Sequence, residues 1–556
     1  MYKYLLRLVI ILLLCSASGR ASDRSGRDPL IIFHLDFNSV SLREEYIRHW
    51  LKNAAEMGYN AVLWEIEDEV KWQICPECAS PDAFSKEQFR ELLAYSRGLG
   101  LEPIPLLQTI GHAEYVLRHV PYQTMRENPG RYDCYCTSNP RVRHFLKSWI
   151  REYLELFGPV RYFHLGGDEA YAFGSCPLCS LAVARHGANG LYSEYIRDIA
   201  ESLIRNGIRP GVWSDMVLKH PGTLSLIPKD FIFWDWNYWD GEGSPEEVMV
   251  WNMGRRVSGK EITAEVSREF PGIIDSTGAL RAFYTSDRLK SLGYEVILCS
   301  SSRSHGDGVF AGRHAVHAPN IVAAARKCVQ ADLLGTCITS WAVRISNYET
   351  QQPWFHLAPL TCKNPHLPLR ELLRLTGQAL FGADSSAFFT AITGIGQPFP
   401  FGSEKTTGIM WTGMKDGRPA PPGHLRELVR AWRSAGDGAR WRQTKGDIAM
   451  AGENIQTGLD LLNRMILSTQ GGSSIMKAWS RAGYFQLWQL YLADELVRHA
   501  EGAPLQSNHE MAELAGSLRR EYRAWAEEWM TPASADQNAG LIYDAIIDFF
   551  TAGGGN

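Results

Sequence analysis

Eight short runs of apolar and β-branched residues recur along the chain, at 30–37, 59–66, 102–108, 160–165, 208–213, 231–236, 294–300 and 336–341. Between most of them the apolar positions return at helical spacing, as in 44–57 (EEYIRHWLKNAAEM), 86–99, 142–157 and 191–206. Runs that are hydrophobic along their whole length fit strands buried on both faces of a parallel sheet. Eight such strands, most separated by a helix, predict an α/β fold closed as a (β/α)8 TIM barrel, with an open doubly wound sheet as the alternative. No Gly-x-Gly-x-x-Gly follows the first run, so a dinucleotide fold has little support. Beyond about 367 the pattern turns helical, at 369–381, 424–435, 448–467, 475–500 and 510–529, and Gly and Pro mark 394–423 as a loop or linker. The predicted division is a leader at 1–21, a barrel at 28–366 and an α-helical C-terminal region at 367–556.

The first residues read as an address. Lys3 and Arg7 precede the apolar run 8–15, and small residues follow up to Ala21, the order of a secretory signal peptide cleaved after Ala21. The run is too short to span a bilayer, and no later stretch reaches 18 uninterrupted apolar residues, so no membrane span is expected. The expected location is periplasmic or extracellular. Lys and Arg number 57 against 61 Asp and Glu, a balance that leaves no basic field to hold nucleic acid.

Export changes how cysteines are read. Six of the ten beyond the leader form close pairs, Cys75/Cys78, Cys134/Cys136 and Cys176/Cys179. In an oxidising compartment such pairs make disulfides, and two C-x-x-C pairs equally make a four-thiolate structural zinc site from Cys75, Cys78, Cys176 and Cys179. Both readings stay open. Cys299, Cys328, Cys337 and Cys362 lie in apolar surroundings and read as small buried hydrophobes.

The string Tyr162-Phe163-His164-Leu165-Gly166-Gly167-Asp168-Glu169-Ala170-Tyr171 concentrates the chemistry. An apolar run ends in two glycines and then presents adjacent carboxylates, at the strand end where barrels place catalytic groups. Acetal hydrolysis needs an acid for the leaving alkoxide and a second group to steady the oxocarbenium charge, and neighbouring carboxylates push each other's pKa values apart. The plainer reading is a helix N-terminus dressed for its dipole. Several of the 18 Trp fall by strand runs, as core filling or as platforms for the apolar face of a sugar.

The string resembles the His-x-Gly-Gly-Asp-Glu signature of family 20 glycoside hydrolases, the β-N-acetylhexosaminidases, and the wider chain is most similar to the hexosaminidase D branch. Supporting stretches are His34-Leu35-Asp36, 60–68 (NAVLWEIED), 105–114 (PLLQTIGHAE), Val212-Trp213-Ser214-Asp215-Met216, Trp234-Asp235-Trp236 and Thr339-Ser340-Trp341. The resemblance spans roughly 30 to 345. It implies a retaining, substrate-assisted mechanism on a glycan or glycoconjugate with a terminal N-acetylhexosamine, without a cofactor. Glu169 matches the general acid/base. Asp168 matches the residue that orients the 2-acetamido group and steadies the oxazolinium intermediate. His112 matches a polar network beside the sugar, or is a structural histidine; Trp213, Trp234, Trp236 and Trp341 match the aromatic box, or fill core. Asp215 accepts a sugar hydroxyl or caps a helix.

Two departures stand out. Many family members carry an arginine on the first strand to grip distal hydroxyls, where this chain offers His34 and Asp36. Many also place a tyrosine after the seventh strand for the acetamido oxygen, where this chain reads Cys299-Ser300-Ser301-Ser302-Arg303; Tyr238 or Trp236 from the sixth strand is the expected substitute. Two other readings remain: a β-glycosidase of other specificity that uses Glu169 with a remote carboxylate such as Glu67 or Asp235, and a catalytically silent carbohydrate-binding protein.

Overall fold

The computed structural model describes residues 28–341, 343–382, 385–398, 414–415, 418–419, 423–436, 438–469, 473–503 and 508–552. The predicted leader lies outside them, as does most of the predicted linker at 394–423. No described helix is long and apolar enough to cross a membrane.

Eight parallel strands close into a barrel. They are β1 (Leu30–Asp36), β2 (Ala61–Glu65), β3 (Glu102–Leu106), β4 (Tyr162–His164), β5 (Arg209–Trp213), β6 (Ile232–Trp236), β9 (Glu295–Arg303) and β10 (Gly335–Ser340), with β1 paired to both β2 and β10. All eight overlap the predicted runs; β9 continues three residues past its run, through Ser301, Ser302 and Arg303, and β10 begins one residue early. The alternating pattern was sufficient because each strand is buried on both faces, inwards on a barrel core that includes Ile32, Leu63, Ile104 and Ile297 and outwards on the helices.

The helices of the first half, α1 (Glu44–Met57), α2 (Lys86–Gly98), α3 (Pro140–Phe157) and α4 (Pro177–Arg205), cover the outside. Helix α2 begins at a capping box in which Ser85 and Gln88 satisfy each other's backbone N–H groups, and α3 begins with Asn139 as N-cap and Pro140 in its first turn. The helix predicted at 191–206 starts earlier. Gly187, at φ 71°, breaks α4 into two segments, and the first carries Cys176 as N-cap and Cys179 one turn in.

Between β6 and β9 the chain inserts an antiparallel hairpin, β7 (Glu247–Val250) with β8 (Arg255–Ser258), and short helices. Neither hairpin strand was predicted, because the four-residue runs are too short and too exposed to alternate clearly. The four-thiolate site expected from Cys75, Cys78, Cys176 and Cys179 does not form. Cys75 and Cys78 are joined as a disulfide in the loop after β2, while Cys176 and Cys179 meet other partners.

After β10 the described chain is helical, except for the two-residue strands at 414–415 and 418–419. Its main helices are α5 (Leu369–Phe381), α6 (Ser386–Ile395), α7 (His424–Ala435), α8 (Gly438–Ser468), α9 (Ser474–Ala500), α10 (Asn508–Ala526) and α11 (Pro532–Thr551). The turn after α10 folds back on the first loop of the barrel. Leu42 bridges Met530, Arg43 N–H donates to the Trp529 carbonyl (2.9 Å), and Ser41 N–H donates to Ser534 Oγ (3.0 Å). Trp529 is fully buried, and its indole N–H donates to the Val343 carbonyl beyond β10 (2.8 Å). Trp529→Ala therefore removes a large ring and orphans a carbonyl, with an expected loss of about 3–5 kcal/mol. Urea unfolding of the whole chain checks this; a loss under about 1 kcal/mol would show that the turn only rests on the barrel.

Candidate active site

Strand β4 delivers the acid pair through a backbone that ordinary residues avoid. Gly166 and Gly167 take φ values of 60° and 87°, and Glu169 follows at 43°. A Cβ on Gly166 would lie 2.0 Å from Gln108 Oε1, so a side chain there is excluded on space as well as on angle. Glu169 has no such freedom, and its left-handed backbone costs on the order of 1 kcal/mol. Hydrogen bonds hold it: Glu169 N–H donates to Asp215 Oδ2 (3.0 Å), and Tyr171 O–H donates to Glu169 Oε1 (2.9 Å).

The loop after β3 supplies the third member. Gly111 passes so close to the pair that a Cβ on it would stand 2.2 Å from the Asp168 carbonyl oxygen. His112, itself left-handed at φ 52°, then places Nε2 3.4 Å from both Asp168 Oδ2 and Glu169 Oε2. Burial works against the imidazolium, yet Asp168 and Glu169 outweigh it and hold His112 well above its ordinary pKa. Burial lifts the Asp168 carboxyl above its ordinary value despite His112. It also lifts Glu169, but there the bonds and charge of His112 and the Tyr171 hydroxyl win, leaving that carboxyl below its ordinary value. Asp215, deeply buried and close to Asp168, is pushed up to about 7.

The other predicted residues divide between this mouth and its floor. Trp236 and Tyr238 stack with ring centroids 5.2 Å apart, and the Trp341 indole N–H donates to Tyr238 Oη (3.1 Å), which makes a half-buried aromatic rim. Trp213 lies beneath, 1% exposed, with its ring 4.4 Å from His164; Trp234 is buried beside it. Asp36 belongs to a buried group on β1 and β2, whose His34 ring packs edge-on against Trp341 with centroids 4.8 Å apart. Asp36 Oδ1 accepts from Asn38 N–H (2.8 Å), and burial with the nearby Glu65 raises that carboxyl to about 7. In that group His34 Nε2 stands 3.0 Å from Glu65 Oε2, and Gln108 donates to Glu65 Oε1 (2.7 Å).

The remote carboxylates of the two-carboxylate reading are committed elsewhere. Asp235 accepts from the hydroxyls of Ser214, Thr285 and Ser286, and Glu67 accepts from Asn38 Nδ2. Sequence reasoning missed two participants. Tyr171 stood inside the quoted string, but only the fold shows its hydroxyl turned back on Glu169. Arg344, just past β10, donates to Asn38 Oδ1 (3.2 Å) and brings a cation beside β1, which has no arginine of its own.

Residues 41–257 match the sequence profile of the glycosyl hydrolase family 20 catalytic domain. Hexosaminidase D of Homo sapiens is 28% identical over 227 residues, covering 38% of this chain and 46% of that protein. Lacto-N-biosidase of Bifidobacterium bifidum is 24% identical over 222 residues, or 38% of this chain and 19% of that protein. The beta-hexosaminidase of Akkermansia muciniphila is 28% identical over 155 residues, 25% of this chain and 31% of that one. The matched region spans less than half the length of each of these relatives. The solved chitobiase of Flavobacterium johnsoniae aligns over 93% of this chain and 77% of that one, at 15% identity and a TM-score of 0.46. By sequence, then, the segment running from the loop after β1 into the β7–β8 hairpin resembles the catalytic domain of glycoside hydrolase family 20, the family whose signature the Asp168-Glu169 string carries.

Proposed function

We propose that the protein is an exo-acting β-N-acetylhexosaminidase that removes terminal β-linked N-acetylhexosamine from glycans or glycoconjugates with retention of configuration. One observation carries the reading: consecutive carboxylates at the end of β4 share the His112 imidazole at 3.4 Å and stand in unlike surroundings. Asp168 is buried, and its Oδ1 has no hydrogen-bond partner among the described residues, leaving an acceptor for an amide N–H. The Glu169 side chain is 38% exposed at the mouth, where a leaving oxygen arrives.

In this mechanism the acetamido carbonyl oxygen attacks the anomeric carbon while Glu169 protonates the leaving oxygen. Asp168 holds the amide N–H and balances the charge of the oxazolinium ring. Water, deprotonated by Glu169, then opens that ring. No protein nucleophile and no cofactor are needed, and holding the acetamide against the anomeric carbon is a proximity effect worth several kcal/mol. A sugar in the mouth displaces water from Glu169, and the added desolvation moves its carboxyl upward, toward the protonated form it needs. The aromatic rim offers faces for the pyranose. The leader at 1–21 would send the chain to the periplasm or outside the cell, where such glycans are met. Support for the substrate class also comes from the names of the relatives, hexosaminidase D and beta-hexosaminidase.

The direct test is a hydrolysis screen on aryl glycosides with and without the 2-acetamido group; only the former should turn over. Glu169→Gln keeps the shape and removes the proton, so turnover of poor leaving groups should drop by about 10²-fold or more while activated aryl glycosides lose much less. An equal loss on both would remove Glu169 from the acid role.

Asp168→Asn should slow the enzyme by about 10²-fold or more, because a preorganised charge is lost from the developing cation. A trifluoroacetamido substrate should slow the native enzyme sharply. Trapping of a glycosyl ester on any Asp or Glu by a fluorosugar would overturn the substrate-assisted mechanism.

His112→Asn takes away the cation that favours the ionised forms of both carboxylates, so both of their pKa values rise. The acid limb of the kcat/KM profile, which needs Asp168 ionised, and the alkaline limb, which needs Glu169 protonated, should move to higher pH together. Limbs that stay in place, or move apart, would show that His112 does not govern the pair.

A further inference from the structure

The loops that carry His112 and Glu169 meet a second time, at sulfur. The β3–α3 connection brings Glu127 and Cys136, and the start of α4 brings Cys176 and Cys179. Cys136 Sγ lies 3.4 Å from Cys176 Sγ and 3.7 Å from Cys179 Sγ, and Cys179 Sγ lies 3.1 Å from Glu127 Oε2. The four donor atoms all fall within 4.8 Å of one another. Zinc–thiolate bonds of about 2.3 Å set sulfurs at the corners of a tetrahedron with edges of about 3.8 Å, close to the spacings found here. Bonded disulfide sulfurs approach to about 2.05 Å, and three thiols in one cluster always leave one unmatched. All three are free.

Hydrogen bonds already orient the donors, as they do around structural metals. Cys176 N–H donates to Glu127 Oε1 (2.8 Å) and turns Oε2 toward the sulfurs; Cys179 N–H donates to Cys176 Sγ (3.3 Å). The Thr137 hydroxyl stands 3.5 Å from Cys179 Sγ. Cys176 is the N-cap of α4 and Cys179 lies one turn in, so one helix start presents both sulfurs to the same point. Leu191 and the half-buried Phe173 and Val183 pack against the cluster, in which Cys176 is half-buried and the other three donors are buried.

We propose that Cys136, Cys176, Cys179 and Glu127 bind one zinc ion with tetrahedral geometry. The role is structural. The ion ties the β3–α3 connection to the chain seven residues beyond Glu169, so the two loops that bring imidazole and carboxylates together are fastened outside the sugar mouth. Cys75 and Cys78, joined to each other, take no part.

The test uses the full mature chain, purified without chelator. Elemental analysis should find about one zinc per chain, since all four ligands come from one polypeptide. Alkylation followed by peptide mapping should show Cys136, Cys176 and Cys179 protected until a strong chelator is added, with Cys299 and Cys337 as internal controls that the chelator leaves unchanged. Cobalt(II) added to the stripped chain should give thiolate charge-transfer absorption and the strong visible bands of a tetrahedral site. Cys179→Ser should abolish the charge-transfer signature or reduce it to that of two thiolates, and Glu127→Gln should weaken zinc retention while the sulfur bands persist. If the Ser variant fails to fold, the alkylation and cobalt arms on the native sequence still decide. A metal-free chain whose three thiols react at the same rate with and without chelator overturns the proposal. So does a mapped disulfide between Cys136 and either Cys176 or Cys179.

Discussion

Two carboxylates on consecutive residues repel each other, and the arrangement here depends on one imidazole set between them, where its proton is favoured. His112 reaches Asp168 and Glu169 at equal distance, and it does so from the loop after the neighbouring strand. Everything local serves that meeting. Gly111 has no Cβ because the Asp168 carbonyl occupies that space, and Gly166 has none because Gln108 does. Both His112 and Glu169 sit in left-handed backbone that two ordinary residues adopt only under constraint. The two strained positions lie on two loops and meet around one ring.

Unlike surroundings then give like residues unlike properties. Asp168 faces inward and is shifted up by burial; Glu169 faces the mouth and is shifted down by His112 and Tyr171. Without a sugar these directions are the reverse of what the two proposed tasks need, an anion beside an amide and a group that gives up a proton, so the proposed mechanism depends on the bound sugar desolvating Glu169. Asp215 joins the pair through its bond to the Glu169 backbone, so the carboxylate two residues past Trp213 acts on the shape of the loop.

Much of this was legible in the sequence. The strands were readable because burial on both faces leaves uninterrupted apolar runs, and helix 44–57 was readable because it has one wet face and one dry face. The Asp168-Glu169 pair announced itself through the glycines before it. What escaped needed three dimensions. Ser386–Ile395 is apolar nearly all round, so its period is faint. Pro532–Thr551 mixes small and apolar residues around its circumference. Cysteine spacing showed which thiols are neighbours in sequence and not that Cys136, a member of the tight C-x-C pair, would leave Cys134 and join Cys176 and Cys179. Arg344 lies more than 300 residues from the strand it serves, and no local pattern marks it.

The clasp between the loop after β1 and the turn after α10 bears on the order in which the molecule is made. Leu42 waits for Met530, and Ser41 waits for Ser534, across 488 and 493 residues respectively. The barrel ring itself closes only when β1 finds β10. Contacts this distant are the last that a chain growing from its N-terminus can make, and the loop-closure entropy they involve slows the final step. The first loop on the site's face of the barrel is therefore completed by residues made about 490 positions later, and a ribosome-bound fragment ending before residue 529 leaves the N–H groups of Ser41 and Arg43 open to water.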